Sequence, residues 1–563
     1  MTDRRLSKPA AWAVLAIVTL AAMGRLLLCD FTWWDDPHTI HQNNLMNLVK
    51  LDSFLHYWSV APADIYIPLT YNVWALVSIV ARVNDSPAGI SLNPFFYHAL
   101  NVFTHIGGAA AAYFLLRRLL KHDLAALAGA LFWAVHPIQV EAVGWISGYK
   151  DVLAGTLALV SLERFVAWRQ DGGRKRFFTS LVLYALAMLS KPSAMTLPLI
   201  IVLIDWLGLR SGWRAILKSI WPYVLETVPI AIVARMVQPG SVAHSALWAR
   251  PFIALDSLAF YVVKILFPLQ LCIDYGRNPA WVIHSGMIWY SWLLPTGIAA
   301  IVFFLCRRQR KAHRPVDLLP VAGLLVLAAA PLPVLGLVSF DFEAFSTVSD
   351  HYVYLALLGP AICVAWAVAK LPRAFFAGIC VLLLLYVAKS AAQAATWQDE
   401  WTVMNHTVAV NPRSWLAYNN LSNDYSRQNN LPAEEDALLK ALEFSPDNPV
   451  VEGNLLWHYL MTRQFDLADF YARQVINHYS FYRGLPSLTA DPYMHVIGMY
   501  VDARRIDEAE RYLKEAMRLF PQNGYFRVRQ EQIDAMKRDP NFKIDRSPGF
   551  PSTPPATTQS AGH

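Results

Sequence analysis

The chain has 563 residues, of which 55% are hydrophobic and 16% are charged, and its formal charge is +7. A mean hydropathy of +0.32 excludes an ordinary soluble protein and indicates membrane segments. The positive charge predicts no nucleic-acid partner, because the inner loops of membrane proteins collect Lys and Arg. The five cysteines all lie in or beside apolar runs, which favours neither a disulfide framework nor a CxxC metal site.

Apolar runs long enough to cross a bilayer recur up to residue 392. A helix needs about 20 residues to span a hydrocarbon layer of roughly 30 Å, and Lys and Arg mark its inner end. The basic sequence MTDRRLSK therefore places the N terminus inside, and we interpret the run after it as a retained signal anchor. The pattern predicts about eleven crossings, at residues 10–29, 95–116, 124–135, 152–168, 177–189, 194–208, 219–236, 286–306, 317–339, 352–369 and 374–392.

Two further apolar runs do not fit as crossings. The run at 69–82 is too short to span a bilayer, and the run at 252–271 contains Lys264 and Pro268. Counting either run would also move a strongly basic loop to the outer side. We predict that both lie at the membrane interface or re-enter the membrane, which leaves the C-terminal part of the chain on the outer side.

The polar side chains that interrupt the apolar runs fall mainly on the outer side in this arrangement. An ionisable group near hydrocarbon costs about 2.5–3.5 kcal/mol on insertion scales, so such groups are kept mainly where they have a function. We therefore predict one water-filled cavity that opens outward; the alternative is a set of ordinary polar loop residues. The set comprises Asp35, Asp36, His136, Glu141, Lys150, Asp151, Lys191, Asp274, Tyr275, Asp350, His351 and Tyr352.

The segment after residue 395 contains an internal repeat. Tyr425, Tyr459 and Tyr500 end three similar pentapeptides and are spaced 34 and 41 residues apart, and Pro446 and Pro521 recur at one position in two of the units. A 34-residue unit of two helices resembles the tetratricopeptide repeat, although a generic array of helical hairpins has the same physics.

The repeat and the composition define the predicted domains. We assign residues 396–540 to a soluble α-solenoid of tetratricopeptide repeats, whose concave groove suits a peptide or a partner protein. Residues 541–563 are rich in Pro, Ser and Thr, which predicts a disordered tail. Residues 1–395 form the membrane domain.

The order of motifs along the chain is similar to that of a known family. The motifs are WWDDPHTIHQN, IPLTYNVWAL, FYHALNVFTH, HPIQVEAVGWISGYKDVLAG, LSKPSAMTLPLIIVLIDW and SDHYVYLALLGP, followed by the repeats. Together they resemble the TMTC-type proteins (transmembrane and tetratricopeptide repeat), membrane O-mannosyltransferases of the GT-C fold, and their bacterial relatives. The resemblance covers nearly the whole chain and implies an all-α, polytopic membrane domain of GT-C type.

The resemblance also implies roles for the polar set. In this family a sugar arrives on a polyprenyl phosphate and is transferred at the outer face, and an acidic pair in the first outer loop is catalytic. That pair corresponds to Asp35, as the general base, and Asp36, as its partner, which orients the acceptor or, in some relatives, a divalent metal; no other cofactor is implied. The leaving phosphate needs cations, for which the candidates are Lys150, Lys191 and His351. The residues expected to line the cavity are His136, Glu141, Asp151, Asp350 and Tyr352.

The family's relatives commonly carry Arg where this chain has Lys150 or His351, so the residue that holds the phosphate stays open. The acidic pair can also act as a cap for an interfacial helix that begins at Pro37. Trp33 and Trp34 are predicted to anchor the chain at the membrane interface.

Several other polar residues are predicted to be structural. His98, Asn101 and His105 share one helix face, where packing and hydrogen bonding are favoured over binding of a ligand or metal. Lys191 precedes a proline and can be a turn residue whose amine reaches the interface. Asp205 lies near the inner end of its run and is predicted to be structural.

We hypothesise an integral membrane glycosyltransferase that moves a mannose-like hexose from a polyprenyl-phosphate carrier to an acceptor hydroxyl, on a protein or peptide held at the repeat groove, with inversion. One alternative is a non-catalytic, membrane-anchored scaffold for envelope protein assembly, although an anchor needs one crossing only. Another is a transporter, which usually shows ionisable groups at mid-membrane depth. The single soluble module without cysteines favours a bacterial inner membrane with the site facing the periplasm, or an endoplasmic reticulum membrane in a eukaryote.

Overall fold

The computed structural model describes residues 7–62, 65–83, 91–237, 245–313, 315–338, 340–482, 489–539 and 542. The predicted basic N terminus and disordered tail lie outside these residues, apart from Ser7, Lys8 and Phe542. In the described part of the chain every regular element is helical, and one isolated β-bridge joins Arg82 to Leu92. The predicted all-α fold is confirmed.

The chain divides into two compact units, of which the first comprises residues 1–239 and 245–406 and the second begins at Thr407. The helices of the first unit, the last of which contains the division, are α1 (Lys8–Met23), α2 (Asn44–Asn47), α3 (Leu51–Ser59), α4 (Pro68–Ala81), α5 (Pro94–Leu120), α6 (Asp123–Val135), α7 (Gln139–Gly144), α8 (Tyr149–Asp171), α9 (Arg174–Ser190), α10 (Leu197–Leu203), α11 (Trp213–Val237), α12 (Arg250–Leu266), α13 (Pro279–His284), α14 (Leu293–Lys311), α15 (Leu319–Ala329), α16 (Leu358–Lys370), α17 (Arg373–Ala395) and α18 (Glu400–Val410).

Short 3-10 or π segments join or extend several of these helices. The 3-10 segments are Gly24–Leu28, Ile146–Gly148, Pro192–Thr196, Met287–Trp289, Leu332–Val334, Asp341–Ala344 and Asp350–Val353, and the π segments are Pro37–His41 and Ile204–Gly208.

Within the described ranges, five helical stretches are long and apolar enough to cross a membrane, as a polytopic membrane protein requires. They are Pro9–Leu28, Pro94–Leu120, Trp213–Val237, Met287–Lys311 and Ala374–Ala395. The other predicted crossings contain helices that are shorter or more polar, as in α6 with 13 residues. The count of about eleven crossings and the interfacial placement of α4 and α12 therefore stay predictions.

Helix α5 begins and ends with the expected local signals. The Asn93 side chain accepts a hydrogen bond from the backbone N–H of Phe95, Pro94 occupies the first turn, and Lys121 closes the helix in a left-handed conformation. Helix α5 packs against α6 and α8, and α8 packs against α9. The turn at Ile146–Gly148 is buried and contacts α5, α7 and α8.

Glycines allow close helix crossings in the first unit. A methyl group on Gly323 of α15 would lie 2.6 Å from the carbonyl oxygen of Gly359, and one on Gly359 of α16 would overlap the carbonyl oxygen of Gly323. A methyl group on Gly155 of α8 would overlap the ring of Tyr354. This close backbone contact fixes the position of α16 along α15, and with it the position of the segment that precedes α16.

In its described residues the second unit contains seven further helices, in which neighbours along the chain pack against each other. They are α19 (Trp415–Arg427), α20 (Leu431–Phe444), α21 (Pro449–Met461), α22 (Phe465–Tyr482), α23 (Asp491–Asp502), α24 (Ile506–Leu519) and α25 (Gly524–Arg538).

The repeat seen in the sequence recurs in the backbone of this unit. The turns after α19, α21 and α23 each contain one residue in the left-handed conformation: Asn429, Arg463 and Arg504. These residues have the same spacings, 34 and 41 residues, as the three tyrosines. Tyr459 and Tyr500 are both buried in the core of the unit. The tetratricopeptide assignment itself stays a prediction.

We expect Gly359→Ala to destabilise the first unit by about 1–3 kcal/mol, because the added methyl group meets backbone that cannot move independently. The matched control is Gly107→Ala on α5, where a Cβ would meet no atom within 4 Å. Thermal unfolding of the detergent-purified protein, followed by tryptophan fluorescence, should show a lower midpoint for Gly359→Ala only. Equal midpoints for the two variants would show that the α15–α16 crossing can relax.

Candidate active site

Asp36 is fully buried and accepts four hydrogen bonds. Its Oδ2 accepts the backbone N–H and the hydroxyl of Thr32, both at 3.0 Å. Its Oδ1 accepts the backbone N–H of Ser147 at 3.0 Å and the Ser147 hydroxyl at 2.6 Å. These bonds tie the first loop (residues 29–36) to the turn at Ile146–Gly148. Burial raises the pKa of Asp36 to about 6, and the bonds from Ser147 and Thr32 oppose that shift.

Asp35 lies next to this network and remains partly exposed. Its Oδ2 is 3.8 Å from Nζ of Lys150, and one third (33%) of its side chain is accessible. The Thr39 hydroxyl donates to the Asp35 carbonyl oxygen at 2.9 Å and lies 2.9 Å from the Ser147 hydroxyl. The two acidic residues therefore have different roles. Asp36 holds the backbone in place, whereas Asp35 offers a carboxylate that a substrate can reach.

Two tryptophans support Lys150. Trp34 stacks on Trp145, with ring centroids 4.7 Å apart and an angle of 14° between the ring planes. The Lys150 Nζ lies 4.4 Å from the centroid of the Trp145 ring, a cation–π contact. Trp34 is only 4% exposed, so its predicted role as an interfacial anchor is wrong: its ring packs inside the protein. Trp33 donates its backbone N–H to Glu400 at 2.8 Å.

A second ion pair joins Lys191 to Asp151. The Nζ–Oδ1 distance is 2.6 Å, and the two side chains are 12% and 7% exposed. The Lys191 Nζ also lies 5.6 Å from the ring centroid of Tyr352. Burial lowers the pKa of Lys191, and the Asp151 carboxylate opposes this shift. Since Lys191 has these buried partners, the alternative of a turn residue reaching for the interface does not hold in this structure.

Lys191 and Asp151 line a pocket. Tyr352 and His351 also line it, and most of the other lining residues are apolar. Its apolar residues include Ala194, Ala330, Pro331, Val334 and Leu355.

Glu141 and His351 form a third buried pair. The Ser349 hydroxyl and the His351 backbone N–H donate to Glu141 Oε1 at 2.7 and 3.2 Å, and His351 Nδ1 lies 2.5 Å from the same oxygen. Burial raises the pKa of Glu141 to about 7 and lowers the pKa of His351 to about 3. His351 is therefore neutral at pH 7, which argues against its predicted role as a phosphate-binding cation and leaves Lys150 and Lys191.

Two predicted cavity residues have other partners. Asp350 accepts a hydrogen bond from the hydroxyl of Tyr275 at 2.9 Å. His136 has both ring nitrogens engaged by backbone, the carbonyl of Ile265 at 3.0 Å and the N–H of Ile138 at 3.2 Å. The structure does not bring His136 into the cluster.

The segment 349–354 connects these groups, since its successive side chains meet different elements. Its contacts are Ser349 and His351 with Glu141 of α7, Asp350 with Tyr275, Tyr352 with Lys191, and Tyr354 with His105 of α5. The 3-10 turn at Asp350–Val353 thus positions the side chains of one wall of the site.

The polar face of α5 is structural, as predicted. Asn101 donates to the carbonyl oxygens of Val143 and Trp145 at 3.1 and 3.0 Å, and the His105 Nε2 lies 2.8 Å from the carbonyl oxygen of Ala134. Asp205 accepts hydrogen bonds from Arg169, also in keeping with a structural role.

The hydroxyl residues of the site were not found from the sequence. Thr32, Ser147 and Ser349 donate to the carboxylates, and Thr39 donates to the Asp35 carbonyl oxygen, yet isolated Ser and Thr residues in apolar motifs give no distinctive signal.

Asp36 does not fit as a metal ligand. Each of its oxygens faces two N–H or O–H donors, which a cation would have to displace. Within the ranges that the structure describes, one group of three residues has metal-ligand spacing: Asp447, Glu452 and His478, in the second unit.

The family model and the relatives that this chain resembles in sequence are all named as mannosyltransferases. The family model for dolichyl-phosphate-mannose-protein mannosyltransferase matches residues 101–237. The chain is 31% identical over 234 residues to protein O-mannosyl-transferase Tmtc2 of Drosophila melanogaster, covering 38% of this chain and 25% of the relative. It is 24% identical over 348 residues to protein O-mannosyl-transferase F38B6.6 of Caenorhabditis elegans, covering 58% and 47%.

A longer match is to protein O-mannosyl-transferase TMTC3 of Mus musculus, at 20% identity, covering 90% of this chain and 60% of the relative. The chain thus spans between a quarter and three fifths of the length of these relatives. The crystal structure of ArnT from Cupriavidus metallidurans bound to undecaprenyl phosphate aligns with 88% of this chain and 79% of that chain. Its sequence identity is 12% and its TM-score 0.36, a similarity too weak to assign a fold or a ligand.

The buried Asp36 predicts a pH dependence of stability. A free aspartate titrates near pH 4, whereas the pKa of Asp36 is raised to about 6. Between about pH 4 and about pH 6 the folded protein therefore binds the additional proton, and the free energy of unfolding falls as pH rises. We expect this part of the pH dependence to be absent in Asp36→Asn.

Thermal midpoints measured across this pH range would check the prediction, with Asp30→Asn as the control in the same loop. If Asp36→Asn and the native protein changed in parallel with pH, Asp36 would titrate normally and the inferred burial of its charge would be incorrect.

Proposed function

Since the chain belongs to a TMTC-type, O-mannosyltransferase-like family, we propose that it is an integral membrane glycosyltransferase. Its reaction transfers a mannose-like hexose from a polyprenyl-phosphate carrier to a hydroxyl group of a protein, with inversion at the sugar. The observation that carries the proposal is the pairing of the accessible Asp35 carboxylate with Lys150 beside the buried Asp36 network.

Asp35 is suited to act as the general base. An acceptor hydroxyl is a weak nucleophile, and a carboxylate within hydrogen-bond reach removes its proton as the new bond forms, a contribution of about 10²–10⁴ in rate. The Asp36 network and Thr39 hold the backbone of Asp35 in place, which keeps its carboxylate directed at the acceptor. Asp36 acts as a positioning residue because its own oxygens are occupied.

Lys150 and Lys191 are suited to stabilise the leaving phosphate. The acceptor oxygen bonds to the anomeric carbon while the bond from that carbon to the phosphate oxygen breaks, and its electron pair stays on the phosphate. The phosphate gains negative charge, which cations stabilise more strongly in the transition state than in the ground state. A single displacement of this kind inverts the anomeric centre.

The carrier is proposed from two observations. The matched family model is described by a reaction of dolichyl-phosphate mannose, and dolichyl phosphate is a polyprenyl phosphate. The pocket beside Lys191 has an apolar wall formed in part by Pro331, Val334 and Leu355. Such a wall suits the first isoprene units of a lipid carrier whose phosphate lies at the lysine.

The acceptor and the location complete the proposal. The relatives are named protein O-mannosyl-transferases, which supports a protein acceptor. We assign the concave groove of residues 396–540 the role of holding that protein or a partner. The charge pattern of the loops supports an outer-face position for the site and the repeats, on the periplasmic side of a bacterial inner membrane.

Asp35→Asn should reduce sugar transfer by a factor of about 10²–10⁴, because the amide cannot take the acceptor's proton. The amount of folded protein should not fall, because asparagine has the same shape as aspartate. The matched control is Asp30→Asn, which removes a carboxylate from the same loop at a position that bonds its neighbour's N–H. Glycan profiles of envelope proteins and polysaccharides from strains with equal expression would measure the effect, alongside a deletion strain.

A glycoform missing from the Asp35→Asn and deletion strains, but present with Asp30→Asn, is the expected result. If the deletion changed the cells while Asp35→Asn behaved as the native protein, the scaffold hypothesis would replace the enzyme.

Lys150→Met should lower transfer by more than tenfold, since a phosphate partner worth about 1.4 kcal/mol or more is removed. Lys150→Arg keeps the charge and should retain a measurable part of the activity. Steady-state kinetics with a purified lipid-linked donor would compare the two variants. Equal losses in both would indicate that Lys150 acts through the Trp145 packing rather than through its charge.

A further inference from the structure

Both candidate phosphate-binding lysines are already paired with a carboxylate. Lys150 lies 3.8 Å from Asp35, and Lys191 lies 2.6 Å from Asp151. The first pair has an evident purpose, since Asp35 is the proposed base. Asp151 has no such role, because the acceptor is placed at Asp35 and Asp151 is 7% exposed.

Asp151 is also incompletely bonded. Its Oδ1 accepts the hydrogen bond from Lys191, while its Oδ2 is buried and has no hydrogen-bond partner among the residues that the structure describes. Both residues line the pocket that has the apolar wall. A phosphate placed against Lys191 in this pocket therefore meets the negative charge of Asp151 as well.

We propose that Asp151 is a charge-balancing residue that weakens the hold of Lys191 on the spent carrier phosphate and so promotes its release. The inference rests on the proposed function and adds a role that this function does not require. It follows from the change of charge in the reaction.

A sugar-loaded carrier is a phosphodiester with one negative charge. Transfer breaks the bond between the sugar and the phosphate oxygen, the electron pair remains on that oxygen, and the acceptor's proton passes to Asp35. The product is a phosphate monoester with a charge of about −2 above its second pKa near 6. Two lysines without compensation would bind this product more tightly than the substrate, and product release limits turnover in many enzymes.

The repulsion from Asp151 grows with the charge on the phosphate, so the product feels about twice the effect that the substrate feels. Asp151 thus selects between the two forms of the carrier by charge. It also keeps Lys191 from being left as an unpaired buried cation when the pocket is empty.

The test measures binding of two probes to the purified full-length protein in detergent. Farnesyl phosphate represents the spent carrier, and its methyl ester, methyl farnesyl phosphate, represents a carrier with one charge. Asp151→Asn should tighten binding of farnesyl phosphate on the order of tenfold and of the methyl ester by about threefold at about pH 8. At about pH 5, where both probes carry one charge, the two factors should become similar.

Asp317→Asn is the matched control, because this acid bonds Trp366 outside the pocket and its replacement changes the net charge equally. A double variant, Asp151→Asn with Lys191→Met, should lose the tightening, which shows that it acts through the lysine. With the native donor, Asp151→Asn should lower both KM and kcat.

Weaker or unchanged binding of farnesyl phosphate to Asp151→Asn would overturn the proposal and leave Asp151 as an anchor that positions Lys191. If the native protein bound neither probe, the failure would lie with the proposed carrier and thus with the proposed function. If Asp151→Asn did not fold, Asp151→Glu should still bind both probes as the native protein does, and tightening in that variant would equally contradict the proposal.

Discussion

The need to bury the charge of Asp36 is the constraint on which the site depends. A carboxylate removed from water needs donors for both oxygens. The chain supplies them from Thr32, four residues earlier, and from Ser147, 111 residues later. Satisfying this demand brings the first loop against the turn that precedes α8. Asp35, next to Asp36, and Lys150, three residues after Ser147, come to lie beside each other as a result.

Buried charges are also paired elsewhere in the first unit. Asp256 and Arg277 form a buried pair at 2.7 Å, and the carbonyl oxygen of Arg277 accepts the hydroxyl of Thr347, just before the segment 349–354. A buried ion pair adds little net stability over well-packed apolar residues, but the loss of one partner is costly. Pairs of this kind therefore fix the arrangement of the loops around the site more than they stabilise the fold.

Much of this arrangement could be predicted from the sequence. The positions of the helices could be predicted from the lengths of the apolar runs, because a helix that buries apolar side chains needs little more than an apolar composition. The positions of the basic loops predicted that Asp35, Lys150, Lys191 and Glu141 lie on one side of the membrane, and the structure brings these residues into one cluster. The individual pairings could not be predicted, because they depend on how α5, α6 and α8 pack and on glycine crossings such as Gly359.

The residues that were placed incorrectly have a common physical reason. The local sequence around Trp34 is the same whether its ring faces lipid or stacks on Trp145. The sequence around His136 is likewise the same whether its ring nitrogens bond water or backbone. Sequence periodicity reports which face of a regular helix is apolar. It carries no information about side chains in the loops and short turns where these residues lie.

The segment 349–354 has a consequence for how the protein can vary. Loops usually accept insertions and deletions, because few of their side chains are tied to the rest of the molecule. Here Ser349 and His351 both contact Oε1 of Glu141, Asp350 contacts Tyr275, Tyr352 contacts Lys191 and Tyr354 contacts His105. Adding or removing one residue would shift all of these contacts together. Single substitutions are therefore tolerated at this segment far more readily than any change in its length, and in an evolving lineage its length should be as constant as that of a core helix.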